Sequence, residues 1–405
     1  MHIALCTPVS LNLFEPHVRH EEPMPSGFTY PFAFFLTMRL LEAGHRVTVV
    51  TSACDVPLRT CWQDSSGRLT VIATPRRRPR YYCWDLYRRE VRAMCAELRQ
   101  AAPDLVHAQW TYEFADAGLS SGLPCLVTAR DAPWLVAWHF KRFYRLYRAV
   151  YSSLYQAPRI RYFTSVSPHI QRLYRHEPFF RPEFCDVTPN GLEQRFFASG
   201  PRLAVRQPSA PCFVSVSGWS RLKNAPCLLR AFAVVRRRCP DAKLFLIGDG
   251  LGPGQKAETW AMKNGLTEGV VFKGVLPYRE MLDLLDRTAD ICVHTTREES
   301  FSMVTLESMA KGIPVVGGLR SGGVPWLLDH GAAGVLVDIE SPQAVAEGMI
   351  RLAEDRELYQ AVAKRAYERA EEHFKTETII KKYVSVYEHV LQLSQTKRSA
   401  MQSDV

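Results

Sequence analysis

The sequence predicts an α/β protein of two domains, each a parallel sheet covered by helices, with its ligand site at the carboxyl ends of the strands. Three observations lead there. Short β-branched runs alternate with longer helical patterns along the whole chain, the pattern of parallel strands joined by crossover helices. At 405 residues the chain exceeds one ordinary core and suits two, at roughly 150 to 200 residues each. The scheme also restarts after an irregular central stretch.

In chain order, the first half supplies six strand-like runs: HIALCTP, RVTVVTS, LTVIATP, PDLVHA, PCLVTA and RYFTSVS. The opening MHIALCTPVSL lacks the basic flank and cleavage site of a signal peptide, so it is taken as the first strand. Irregular, proline-containing text from Glu193 to Pro211 marks the linker and divides a first domain, 1–195, from a second, 196–380. The second half repeats the scheme with CFVSVS, AKLFLIGDG, GVVFKG, ADICVHT, IPVVGG and AGVLVD. Segments such as APCLLRAFAVVRRR and REMLDLLDR are the intervening helices, and from Ser341 onward the chain reads as helical, ending in a polar tail.

Composition narrows the class. Apolar residues at 47% and charged residues at 23% are the balance of a globular protein. No run reaches the roughly 18 apolar residues of a membrane span. Eleven cysteines occur without a C-x-x-C pair, and Cys6, Cys125, Cys212 and Cys292 sit in apolar strand-like runs, which predicts buried, reduced thiols in a cytoplasmic protein. The net charge of +10 gathers at Arg76, Arg77, Arg78 and Arg80, then at Lys141, Arg142, Arg145 and Arg148. Polyanions, or anionic lipid at the inner membrane face, are the neighbours such clusters would take through the first domain, and a solvated basic face is the alternative. Aromatic residues in RYYCWDLY and WHFKRFYRLY follow helical spacing and read as core or cleft wall, not as a nucleic-acid platform.

The chemistry concentrates after the strand ADICVHT. The loop TREESFSMV leads into the helix TLESMAKG, with Gly312 as its stop and Pro314 opening the next strand. Glu299 lies in the loop and Glu307 about a turn into the helix, leaving free N–H groups near Phe301, Ser302, Met303 and Val304 directed at the strand-end crevice, where an anion such as phosphate is favoured. Carboxylates there would repel phosphate unless they hold something else, and vicinal sugar hydroxyls are suitable donors to them. A sugar nucleotide carries both kinds of group. A solvated helix face is the alternative for the two glutamates.

At this point the text resembles a known family. Glu299 to Glu307, ESFSMVTLE, resembles the E-x7-E motif of GT-B glycosyltransferases of family 4. The likeness extends to PSGF, PDLVHAQW, SVSPHI, VTPNGLEQRF, LFLIGDG, VVFKGVLPYREM, SGGVPWLL and GVLVD in the family's order. It implies two Rossmann-like domains facing across a cleft, the acceptor domain first, with residues 381–405 forming a last helix, around Lys382 to Leu393, that packs back toward the first domain. It implies a retaining hexosyl transfer from a nucleoside-diphosphate sugar to the hydroxyl of a glycan, lipid-linked or small-molecule acceptor. The family uses no prosthetic group, and with no D-x-D motif or metal-ligand spacing in the chain, no metal is expected.

The resemblance also distributes roles. Glu299 would hold hexose hydroxyls and Glu307 the ribose. In the loop GWSRLKN, from Gly218 to Asn224, Lys223 fills the family's lysine place against the diphosphate, and Arg221 stands in for an arginine that relatives carry where this chain has Trp219. Gly248 in IGDGLGPG marks a turn near the donor rather than a dinucleotide fingerprint, because Pro253 or Gln255 takes the place of the last glycine of G-x-G-x-x-G. Backbone around Gly274 and Val275 would face the nucleobase. In the first domain, Gly27 would let the backbone approach a ligand, an ordinary turn being the alternative. His107 at a strand end could bond a hydroxyl or be a satisfied structural residue. Asp131, after Arg130, would line the acceptor side and polarise its hydroxyl, or cap the following loop. Two other functions share these features: an epimerase acting on the sugar nucleotide, and a catalytically weak pseudo-transferase binding partners through its basic domain.

Overall fold

Runs of β-branched and apolar residues form strands wherever turn residues bound them. The structure, a computed structural model, describes residues 1–78, 85–197 and 200–403. Arg80 of the expected basic run, Cys83, and Ala198 and Ser199 of the expected linker lie outside the described residues.

The chain divides into two compact units, Met1–Pro189 with Ile379–Val405, and Asn190–Thr378. In the first unit β1 (His2–Cys6), β2 (Arg46–Ala53), β3 (Thr60–Gln63), β4 (Leu69–Pro75), β5 (Leu105–Gln109), β6 (Cys125–Ala129), β7 (Tyr162–Ser165) and β8 (Phe184–Val187) make one sheet in the order β3-β4-β2-β1-β5-β6-β7-β8. All neighbours are parallel except β3 and β4. Six of these eight strands are the expected runs; β3 and β8 are additional and occupy the two edges.

In the second unit β9 (Cys212–Val216), β10 (Lys243–Ile247), β11 (Val270–Gly274), β12 (Ile291–His294), β13 (Val315–Gly318) and β14 (Val335–Val337) form an all-parallel sheet in the order β11-β10-β9-β12-β13-β14. The chain winds outward from β9 through β10 to β11, then restarts on the other side of β9 at β12. The switch point, where open sheets of this kind bind ligands, lies between β9 and β12.

Each unit has its own core. Leu228, Phe232, Leu244, Ile291, Val316 and Met349 are buried in the second. In the first, Ile3, Leu36, Val49 and Leu105 pack with Ile379, Tyr383, Tyr387 and Val390, so the end of the chain completes a core begun by its start. The division falls at Pro189/Asn190 rather than after 195 because the next residues already bond into the second unit. Leu192 N donates to Phe374 O at 2.8 Å. Arg202 donates to the carbonyls of Leu285, Asp286 and Ala289 at the C-terminal end of the helix Tyr278–Thr288, where a cation complements the helix dipole.

The ten described cysteines are free. Cys6, Cys125 and Cys292 are buried as expected, whereas Cys212 is half-buried, and Cys54 and Cys61 are exposed. No described helix is long and apolar enough to cross a membrane.

Candidate functional site

The loop after β12 ends in a capped helix, Met303–Ala310. Ser302 is the N-cap: its Oγ accepts from Thr305 N at 3.3 Å, and its carbonyl takes the first helical bond, from Leu306 N. The amides of Met303 and Val304 precede that bond and lie at the positive end of the helix. Phe301 turns into an aromatic cluster with Trp326 and Phe374, which anchors the loop from below.

Glu299 is held from three directions. Lys223 Nζ donates to its Oε1 at 2.6 Å, His294 Nε2 lies 3.3 Å from the same oxygen, and its own carbonyl accepts from Gly323 N at 2.7 Å. Burial would raise the carboxyl, but the His294 contact and the Lys223 charge outweigh it and lower its pKa to about 2. Glu307, 3% exposed, has a different setting. Tyr278 OH donates to its Oε1 at 2.7 Å, its Oε2 is buried without a hydrogen-bond partner, and burial raises its pKa to about 7 against the partial help of Tyr278 and Lys311.

Facing these carboxylates, the loop after β9 is fixed by its backbone. Ser217 N donates to Ile247 O, Trp219 N to Asp249 O, and Gly248 N to Gly274 O, so the ends of β9, β10 and β11 interlock. Gly248, at φ +132°, has no alternative residue: a Cβ there would sit 1.6 Å from Ser217 O. Gly218 has a looser setting, its nearest neighbour for a Cβ being Asp249 O at 3.5 Å. Val275 is exposed beside this junction, and so is Arg221 on the basic loop. Asn224 is buried, with Nδ2 donating to Ile339 O and Oδ1 accepting from Arg297 Nη2. Its side chain therefore holds the loop and is not open to a ligand. Arg297, which sequence reading passed over, ties the two sides together: it donates to Asn224, to the carbonyl of Arg221 and to Glu340.

Two family models match this chain: Glycosyltransferase Family 4 over residues 32–195, and Glycosyl transferases group 1 over 205–369, the part that holds Lys223, Glu299 and Glu307. The chain belongs to the family 4 glycosyltransferases. Among curated relatives, N-acetyl-alpha-D-glucosaminyl L-malate synthase of Bacillus anthracis is 33% identical over 45% of this chain and 46% of its own length. D-inositol 3-phosphate glycosyltransferase of Corynebacterium kroppenstedtii is 30% identical over 47% and 45%. The chain thus spans just under half the length of these relatives. Among solved structures, sucrose-phosphate synthase from Thermosynechococcus elongatus aligns over 100% of both chains with a TM-score of 0.70 at 19% identity. Anabaena HepE, solved with UDP and glucose, aligns over 96% of this chain and 100% of its own with a TM-score of 0.66 at 19% identity. These likenesses fix the fold as GT-B.

The first unit of this family 4 chain corrects several expectations. His107 is fully buried on β5, with Nδ1 2.7 Å from Tyr387 OH and Nε2 2.7 Å from Thr128 Oγ1. Both ring nitrogens are occupied, and burial with Arg130 nearby lowers its pKa to about 3. It is a neutral structural residue and not a contact for a substrate hydroxyl. Gly27, at φ +68°, is required by its own chain and not by a ligand: a Cβ would meet Val9 O at 2.6 Å, and its N–H donates to Asp55. Arg130 lies over the Phe32 ring at 4.3 Å and donates to Gln109, close under the strand ends. Asp131 is half-buried, accepts from Trp110 Nε1 at 3.3 Å, and keeps Oδ1 without a hydrogen-bond partner; burial raises its pKa.

Two members of the first basic run are paired within the fold, whereas Arg78 is exposed. Arg76 pairs with Glu113 at 2.7 Å and stacks over Phe28, and Arg77 pairs with both Asp85 and Glu90. Among the described residues, no three His, Cys, Asp or Glu side chains gather where they could hold a metal ion.

Proposed function

We propose that this chain transfers a hexose-type sugar, with retention of configuration, from a nucleoside-diphosphate sugar to an acceptor hydroxyl. The observation that carries this reading is the 2.6 Å pairing of Lys223 with Glu299 at the β9/β12 switch point, beside the free amides of a helix N-terminus. In the proposed donor complex the diphosphate takes Lys223, Arg221 and the amides of Met303 and Val304, while Glu299 turns its carboxylate to hexose hydroxyls. Glu307 accepts from the ribose through the oxygen that now lacks a partner, and the base lies toward Val275. Gly218 and Gly248 shape the floor of the site, and Asn224, Phe301 and Ser302 position its loops.

As the glycosidic bond breaks, negative charge develops on the departing phosphate oxygen. Lys223 and Arg221 meet that charge without calling on a metal, and preorganised cations of this kind supply several kcal/mol of transition-state stabilisation. The acceptor hydroxyl enters on the face the leaving group vacates, with Asp131 on the acceptor side. Relatives solved with UDP and glucose make uridine diphosphate sugars the first donors to try. The two curated relatives, named for L-malate and D-inositol 3-phosphate, make small hydroxylated acceptors the first partners to try.

A thermal-shift panel of nucleoside diphosphates and their sugars tests the donor. A ligand at a hundredfold excess over its Kd stabilises the folded chain by about 2.7 kcal/mol. With the donor found, Lys223→Ala should lower turnover by roughly a hundredfold or more. A panel in which no nucleoside diphosphate raises the melting temperature, or an unchanged rate in Lys223→Ala, rejects the proposal.

A further inference from the structure

The two helices that follow β6, Pro133–Phe140 and Phe143–Tyr151, are built inside out. In the second, Phe143, Leu146, Tyr147 and Val150 recur at i, i+3, i+4 and i+7, the spacing of a stripe that normally faces a core. Here all four are exposed, Phe143 to 85%. Trp138, 74% exposed, and Phe140 extend the patch from the first helix, and Leu154 extends it beyond the second. The aromatic residues of WHFKRFYRLY are therefore largely surface and not core.

The polar face is the one turned inward, and it is tightly bonded. Arg148 is buried with its guanidinium 3.4 Å from the centre of the Tyr112 ring. Gln156 Nε2 donates to Tyr112 O at 2.8 Å, and Trp134 Nε1 donates to the buried Ser153 Oγ at 2.7 Å. These contacts fix the rotation of the helix, so the outward stripe is a designed state and not a loose one. A contiguous patch of this kind on a folded chain marks an interaction surface.

Charge identifies the partner. Lys141 and Arg142 are exposed at the turn between the helices, and Arg145 sits beside them over Phe140 at 5.5 Å. No Asp or Glu occurs between Asp131 and Glu177. Pairing the patch with itself in a second copy would bring like charges together, which disfavours that contact. Trp, Tyr and Phe flanked by cations in a segment without acidic residues is the chemistry of a bilayer interface rich in anionic lipid. We infer that this helical pair docks on an anionic membrane surface, Trp138, Phe140, Phe143 and Leu146 entering the boundary between headgroups and acyl chains while Lys141, Arg142 and Arg145 meet lipid phosphates. The inference is independent of the sugar-transfer reading.

Flotation of the full chain with phosphatidylglycerol-containing vesicles, against pure phosphatidylcholine, tests it. The chain should float with the anionic vesicles only, less as salt rises, and its tryptophan emission should be quenched by bromine-labelled acyl chains. Trp138→Phe should keep binding and lose part of that quenching. Each cation contributes roughly fivefold in partitioning, so Lys141→Gln with Arg142→Gln should lower it roughly twenty-five-fold, and Phe143→Ser should weaken it with the fold retained by circular dichroism. The wild-type quenching decides the matter even if a variant fails to fold. Equal binding to neutral and anionic vesicles, no binding to either, unchanged binding in these variants, or a dimer that Phe143→Ser dissociates without any vesicle binding would each overturn it.

Discussion

Glu299 meets Lys223 and His294 and stays ionised in spite of its burial, whereas Glu307, facing a tyrosine hydroxyl, is raised to about 7. For Glu307 the folded-state pKa lies above the unfolded one, so the folded chain holds that proton more tightly. The associated stability is fully present below about pH 4.5, the ordinary glutamate range, and is lost as pH rises through about 7. The loss is at most about 3 kcal/mol. Thermal melts of the ligand-free chain from pH 5 to pH 8.5, in roughly half-unit steps, should show the decline, and Glu307→Gln should flatten it. In the proposed role a ribose hydroxyl donates best to the ionised carboxylate, so donor affinity should rise over the same interval, and an identical pH profile in Glu307→Gln would remove Glu307 from that role. The two glutamates were legible as a pair because strand, loop and helix follow one another in the text at that point, whereas Lys223 was named through the family resemblance. Tyr278 was not, since it reaches the site from another helix, and neither were His294 and Arg297, which share the strand and loop of Glu299 but whose pairing with Glu299, Asn224 and Glu340 no local spacing announces. His107 lies within β5 rather than at its end, and Gly27 lies in the loop before the first long helix; which way each faces is decided by tertiary neighbours such as Tyr387 and Val9.

The strand-end junction of β9, β10 and β11 works as one piece because three loops share backbone hydrogen bonds. Gly248 is its tightest point, and a methyl group there would overlap Ser217 O, a main-chain atom that cannot rotate away. Gly248→Ala should destabilise the second unit by roughly 3 kcal/mol or more, the range in which a backbone clash falls, and should displace the loop carrying Lys223. Denaturant melts measure the first effect, and loss of any nucleotide-induced thermal shift measures the second. Hydrophobic patterning found twelve of the fourteen strands among the described residues, missing TCWQ and FCDV. Both are four-residue strands at sheet edges with polar residues among their side chains, as edges require. Periodicity likewise found the stripe on Phe143–Tyr151 but not its direction, because which face of a helix meets the core depends on buried partners, here Tyr112 for Arg148 and Gln156.

Chain order and spatial order part company at the C-terminus. The helix Thr376–Ser403 leaves the second unit and supplies Ile379, Ile380, Tyr383, Val386, Tyr387 and Val390 to the core of the first. Sequence pattern shows a helix there, and the family resemblance assigns it to the opposite domain; composition alone contains no sign of the destination. Tyr387 also satisfies His107, which in turn bonds Thr128, and Thr128 bonds Thr164 at 2.6 Å, so one tyrosine closes a buried chain across β5, β6 and β7. A chain stopped after Thr378 would expose that face of the sheet and leave His107 Nδ1 without its partner, a buried loss of roughly 1 to 3 kcal/mol on its own. Burying each of the six side chains contributes roughly 1.5 to 3 kcal/mol more, a total that matches or exceeds the stability of an ordinary domain. The second unit loses none of its own core residues. Hydrogen exchange on the truncated chain should therefore show β1, β5, β6 and β7 unprotected while β9 to β14 keep their protection. Full protection of β5 in that chain would mean that the first sheet folds without the returning helix, and uniform loss across both sheets would mean that the two units unfold as one.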